Sequence, residues 1–186
     1  MDEVQIKTAF FFLGSSLTPT NFFVTIVANM ELLEKLEQEL SQWTEEGGNS
    51  DLSFKSGVGE VVTARLQESE GWVRARVLEV LREGRVKVFC VDTGETAVVE
   101  GKSLGLCPSH LARRLPFQAL PCGLEGWELQ GGSSDWDRLF DLTRDKCTDE
   151  ALVLQCRVVS RGNEGDWVRL SSGAGDLLDR MMEAGL

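Results

Sequence analysis

"VKVFCVDTGETAVV", residues 86–99, is a strand, a tight turn at Thr93-Gly94-Glu95, and a second strand. Valine and phenylalanine suit a pleated, half-buried strand, and a glycine flanked by polar residues suits the reversal between two of them. Working outward, "GEVVTARL" (59–66) and "WVRARVLEVL" (72–81) precede the hairpin and show the same short β grain. Their joints, "QESEG" and "REG", are of hairpin size. Short strands with such joints predict a small antiparallel barrel over 55–106, with no helix inside it.

On either side the grain changes. Before the barrel, residues 4–13 and "NFFVTIVA" (21–28) predict two strands parted by the turn-forming "GSSLTPT". Asn29 is placed to cap a helix on which Leu32, Leu33, Leu36, Leu40 and Trp43 recur at helical spacing, with Glu and Lys on the other face. After the barrel come a short helix at "SHLARR", a strand at "FQALPCGLEG" interrupted by Pro121, and a helix at "SDWDRLF" with Ser134 as its cap. Strands at "ALVLQCRVV" and "DWVRL" and a final amphipathic helix at "GDLLDRMMEAGL" complete the order. Two strands and a helix cannot bury their apolar faces against a barrel that closes on itself, so residues 1–50 and 107–186 are expected to form one split lobe.

The chain has 186 residues, 42% hydrophobic and 26% charged, which is the balance of a folded domain. Thirty acidic residues against 19 basic ones give a formal charge of −11, and no stretch gathers Lys and Arg into a stripe. Phosphate backbones are bound mainly by neutralising their charge, so nucleic acid is a poor partner and a basic protein a better one. Five cysteines, widely spaced and without a C-x-x-C, together with the single His110, support neither a zinc site nor a disulfide framework. "AFFFLG" is far shorter than the ~20 residues a transmembrane helix needs, so no membrane segment is expected, and a reducing, cytoplasmic setting is. His110 lies beside Ser109 with no orienting carboxylate near in sequence. Asp135, Asp137 and Asp141 crowd a helix start, where the dipole favours them anyway. No nucleotide-binding or nucleophile-elbow fingerprint occurs. These residues point to no enzyme, no cofactor and no metal.

The run "ARLQESEGWVRARVLEVLREGRVKVFCVDTGE", then "LPFQALPCGLEG", then the closing "EAGL" resemble, in that order, the extended Tudor domains of Tudor-domain-containing proteins in germline piRNA pathways. The resemblance implies an α+β, mainly β chain: a five-stranded SH3-like Tudor barrel inserted in a split OB-fold lobe of staphylococcal-nuclease type. It also implies a Piwi-type partner and a place in the cytoplasmic germ granule (nuage), while the abrupt ending just after a complete domain leads us to expect further domains beyond residue 186. Such domains hold symmetric dimethylarginine in a cage of aromatic rings, whose faces attract a bulky, weakly hydrated cation.

In this chain the positions that match the cage are Leu66, Val73, Cys90 and Thr93, and the position of the orienting asparagine is Glu95. None of the matched positions carries a ring, and the chain has no tyrosine. The scaffold residues Trp72, Arg74, Asp92 and Gly94 remain in place. The expected function is therefore that of a non-catalytic scaffold module with a degenerate cage, binding an unmodified peptide or a folded partner in place of dimethylarginine. Glu95 could pair with a partner Arg or Lys, since a carboxylate accepts a bidentate hydrogen bond. Leu66 and Val73, at a mouth left apolar, could support self-association. The alternatives are a methylarginine cage relocated to Trp72, Phe89, Phe117 or Trp127, and an OB-type single-stranded RNA site.

Overall fold

The computed structural model describes residues 5–10, 18–48, 57–66, 71–127, 152–172 and 175–183. The deciding hairpin consists of β5 (Arg85–Cys90) and β6 (Thr96–Glu100), paired antiparallel with Val88 opposite Ala97 and Phe89 opposite Thr96. Its turn closes through the Cys90 N–H to the Glu95 carbonyl (2.7 Å) and the Gly94 N–H to the Cys90 carbonyl (2.8 Å). Gly94 takes φ of 82°, a backbone conformation glycine adopts without a Cβ clash.

Strands β3 (Val61–Arg65), β4 (Trp72–Val80) and β7 (Leu104–Leu106) complete a five-stranded sheet in the order β6-β5-β4-β3-β7. Alternation sends Val62, Ala64, Ala75, Val77 and Val88 into one core. Strand β7, only three residues long, carries no pattern of its own and is recognisable by its pairing with β3, Thr63 opposite Gly105. Single 3-10 turns occupy Arg82–Gly84 and Gly101–Ser103, where only loops were anticipated.

The first helix, α1 (Met30–Trp43), buries Leu33, Leu36 and Leu40 against Val61, Trp72, Cys107 and Leu111. Leu32 lies off that stripe and is half exposed. The Trp72 N–H donates to Ser41 Oγ at 3.2 Å, fastening the helix to the start of β4. Contacts divide the chain into two compact units, residues 29–119 and residues 1–28 with 120–186. These boundaries differ from the expected 50 and 107 because α1 covers the outer side of β3 and β4, where strand alternation leaves Val61 and Trp72 in need of cover. Asn29 makes no capping bond; its side-chain amide donates instead to Gln118 Oε1 at 2.9 Å.

The second unit contains β1 (Gln5–Phe10), β2 (Phe22–Ile26), β8 (Leu120–Leu124), β9 (Leu152–Arg161), β10 (Asp166–Ser172) and β11 (Gly175–Asp176). Their order is β11-β10-β8-β2-β1-β9, and β9 pairs with β10 as well as β1, closing a ring of strands as an OB barrel does. Pro121, which has no N–H to give, precedes the parallel pairing with β10 that begins at Cys122 opposite Asp166. Phe22, Leu124, Leu154, Val168 and Leu170 fill the ring with Met181 of α3 (Leu177–Glu183). A short helix α2 (Ser109–Ala112) belongs to the first unit. The helix expected at "SDWDRLF", with Ser134, Asp135, Asp137 and Asp141, and Cys147 lie outside the described residues.

Candidate functional site

The β5–β6 turn and the end of β3 bring the singled-out residues together, but not as a pocket. Leu66 (8% exposed) and Cys90 (1% exposed) are buried in the barrel core, and Val73 packs against that same core. The expectation of an apolar mouth at Leu66 and Val73, open for self-association, is not met. Side chains smaller than a cage ring turn inward here and serve as core, because burying them gains more than exposing them. Thr93 and Glu95 stay half-buried on the turn, with Thr93 Oγ1 accepting the Glu95 N–H at 3.4 Å.

The electrostatics of this corner are acidic. The Cys90 thiol is pushed up to about 12, by burial first and by Glu95 next, with smaller contributions from Asp92 and Glu37. It is therefore a neutral filler at physiological pH. Glu37 of α1 is also half-buried and is pushed up to about 7, by burial first and then by Asp92 and Glu34. Sequence periodicity places Glu37 among the solvated Glu and Lys of the helix. The signal that could have found it is its place beside Leu36 and one turn after Leu33, at the margin of the buried stripe.

Asp92 is committed inward. Arg74, 0% exposed, donates Nε to Asp92 Oδ2 (2.9 Å) and Nη2 to Oδ1 (2.6 Å). Its remaining donors reach the carbonyls of Ala112 (2.9 Å), Leu115 (2.7 Å) and Pro116 (3.3 Å), and the Gln118 N–H donates to Asp92 Oδ1 (3.2 Å). A buried guanidinium is tolerable only when its charge is paired and its N–H groups are accepted, and here both conditions hold. The network ties β4 to the turn after β5 and to the segment following α2.

The residues named for a relocated cage are engaged within their own units. Trp72 is committed to the core beneath α1, and Trp127 packs against the core of the other unit. The Phe117 ring lies 5.3 Å from the Arg74 guanidinium and 5.4 Å from that of Arg76, so cations of the chain itself already occupy it. Phe89 stands opposite Arg76 in the β4–β5 ladder.

A family model described as Tudor domain matches residues 12–126. The Tudor and KH domain-containing protein of Mus musculus is 33% identical over 136 residues, covering 69% of this chain but only 24% of that protein. This chain thus spans about a quarter of the length of the mouse and human Tudor and KH domain-containing proteins, 24% of each. The extended Tudor domain of human TDRD1, in complex with a symmetrically dimethylated peptide, superposes with a TM-score of 0.85 at 22% identity, covering 100% of this chain and 90% of that one. Extended Tudor domain TD3 of mouse TDRD1, in complex with a MILI peptide containing dimethylarginine, gives 0.84 at 23% identity, covering 100% and 93%. The barrel, the split lobe wound from both ends of the chain, and these matches agree: the chain belongs to the Tudor domain family, with the fold of an extended Tudor domain.

Proposed function

We propose that this chain is a non-catalytic interaction module of a Tudor-family scaffold, acting in the cytoplasmic germ granule of the piRNA and transposon-silencing pathway. Its partner is a protein of Piwi type or another component of that pathway, bound as an unmodified peptide or a folded surface and not through symmetric dimethylarginine. One observation carries the reading: Leu66, Val73 and Cys90, at three of the positions where a cage would stand, belong to the barrel core, while Thr93 and Glu95 offer no ring face. Without ring faces, the cation–π and dispersion attraction that rewards methylation, about 0.5–2 kcal/mol per contact, has no source. An acidic chain of net charge −11 still favours a basic segment. Calorimetric titration with an arginine-glycine-rich peptide in unmodified and symmetrically dimethylated forms tests this. Dimethylation should leave affinity unchanged or lower it, and a clear gain on dimethylation would overturn the reading.

A further inference from the structure

Strand β6 stands at one end of the order β6-β5-β4-β3-β7, so among the described residues it is paired on one side only. The opposite edge, β7, is three residues long, and the other sheet closes through β9 and β10. Which backbone groups β6 leaves open follows from its register. The Cys90 N–H donates to the Glu95 carbonyl, and bonded and non-bonded pairs alternate along an antiparallel ladder. Val88 with Ala97 and Val86 with Val99 are therefore the bonded pairs, whereas Thr96, Val98 and Glu100 turn their N–H groups away from β5. The Leu81 N–H, which donates to the Arg85 carbonyl, agrees with this phase, since it points Arg85, the residue opposite Glu100, toward β4. Thr96 and Val98 turn their carbonyls outward too. All three residues are exposed, Val98 by 47%.

An open edge is a template for another strand, and folded chains usually blunt one with lysine, proline or a bulge. None of these occurs in β6: its sequence is TAVVE, and its register with β5 is uninterrupted, unlike that of β4 with β5. We infer that two copies of this chain pair antiparallel through β6, with Val98 at the two-fold axis, and so continue the sheet of one barrel into the other. Charge favours a second copy as the occupant. The chain carries −11, yet the only charge on β6, Glu100, is paired with Lys102 at 2.6 Å, so this edge is neutral and two copies can meet on it. A basic strand from another protein meets no unpaired acid on β6. The outward N–H groups recur every second residue about Val98, so an axis there sets each of them against an outward-facing residue of the other copy. It also sets Val98 against Val98 and Thr96 against Glu100, an apolar pair and a hydroxyl with a carboxylate, with no like charges opposed. The contact uses none of Leu66, Val73, Cys90, Thr93 and Glu95, and it goes beyond the proposed function: such a module links two scaffold chains.

The test is sedimentation equilibrium of the whole chain from about 1 µM to about 1 mM, a range that reports weak association. The native chain should show a reversible equilibrium between monomer and dimer, and added salt should strengthen the dimer by screening the net charge that opposes it. Val98→Lys sets two cations at the axis and should weaken the dimer more than about tenfold. Val98→Pro removes an outward N–H that the barrel's own ladder does not use, and should do the same. If far-UV circular dichroism finds Val98→Pro unfolded, Val98→Lys decides. Leu106→Lys, on the other edge strand, should leave the equilibrium unchanged. Amide hydrogen exchange distinguishes this contact from one elsewhere: the Val98 and Glu100 amides should slow as concentration rises, while those of Ala97 and Val99 are slow throughout. A dimer indifferent to Val98→Lys, with no added protection at Val98, overturns the inference. So does a chain still monomeric at about 1 mM, even where an added peptide strand protects the Val98 amide. Either result leaves the proposed function standing.

Discussion

Burial pushes up the pKa of both Cys90 and Glu37, with different consequences. The Cys90 thiol, 1% exposed and pushed up to about 12, should resist alkylation in the native state. The same holds for the buried Cys107, Cys122 and Cys156, pushed up to about 11, 12 and 11 by burial. Mass spectrometry after iodoacetamide at about pH 8 should find these four unmodified until denaturant is added, and rapid native labelling of Cys90 would contradict its place in the core. Glu37 acts on stability. Its carboxyl titrates at about 7 in the folded chain against 4.5 ordinarily, so the unfolded chain loses this proton first and stability falls as pH rises from about 4.5 through about 7. Glu37→Gln should therefore stabilise the chain by on the order of 1 kcal/mol at about pH 8, allowing for its partial exposure, and by almost nothing at about pH 5. Denaturant melts at the two pH values decide it.

Among the elements, the barrel's hairpins and the helix following β2 are the parts the sequence shows most plainly. Val86 to Val99 alternates and turns within its own length, so no distant residue is needed to read it. Leu33, Leu36 and Leu40 announce a buried face on α1 but not what covers it, because periodicity is a property of the helix alone. The covering surface, Val61 and Trp72, is chosen by tertiary packing. The inward turn of Leu66 and Val73 was hidden for the same reason: the positions were legible, but whether a smaller side chain keeps the ring's place or joins the core is settled by the space around it. Leu36→Ala should cost about 2–5 kcal/mol of stability, as expected for a fully buried leucine, whereas Asn29→Ala should cost well under that, since Asn29 supplies one side-chain bond to Gln118 and no cap. The Arg74–Asp92 pair binds elements distant in sequence. Arg74→Ala strands a buried carboxylate and three carbonyls and should cost about 3–5 kcal/mol, measured as a lowered denaturation midpoint.

For the whole molecule, the sequence anticipates a split lobe around an inserted barrel, and the closed ring built from β1 and β2 with strands that follow the barrel shows how both ends of the chain contribute to one core. The acidic balance and the proposed loss of cage rings bear on function at this scale together. An aromatic cage discriminates by methyl groups, whereas an acidic surface without one discriminates by charge. The most direct test lets the two forms of one arginine-glycine-rich peptide compete for the native chain at equal concentration, with the bound fraction resolved by mass. The account predicts that the unmodified peptide is at least as abundant as the dimethylated one in the bound fraction. Dominance by the symmetrically dimethylated peptide would contradict it, and would mean that a methylarginine site persists in this chain without the rings of the family's cage.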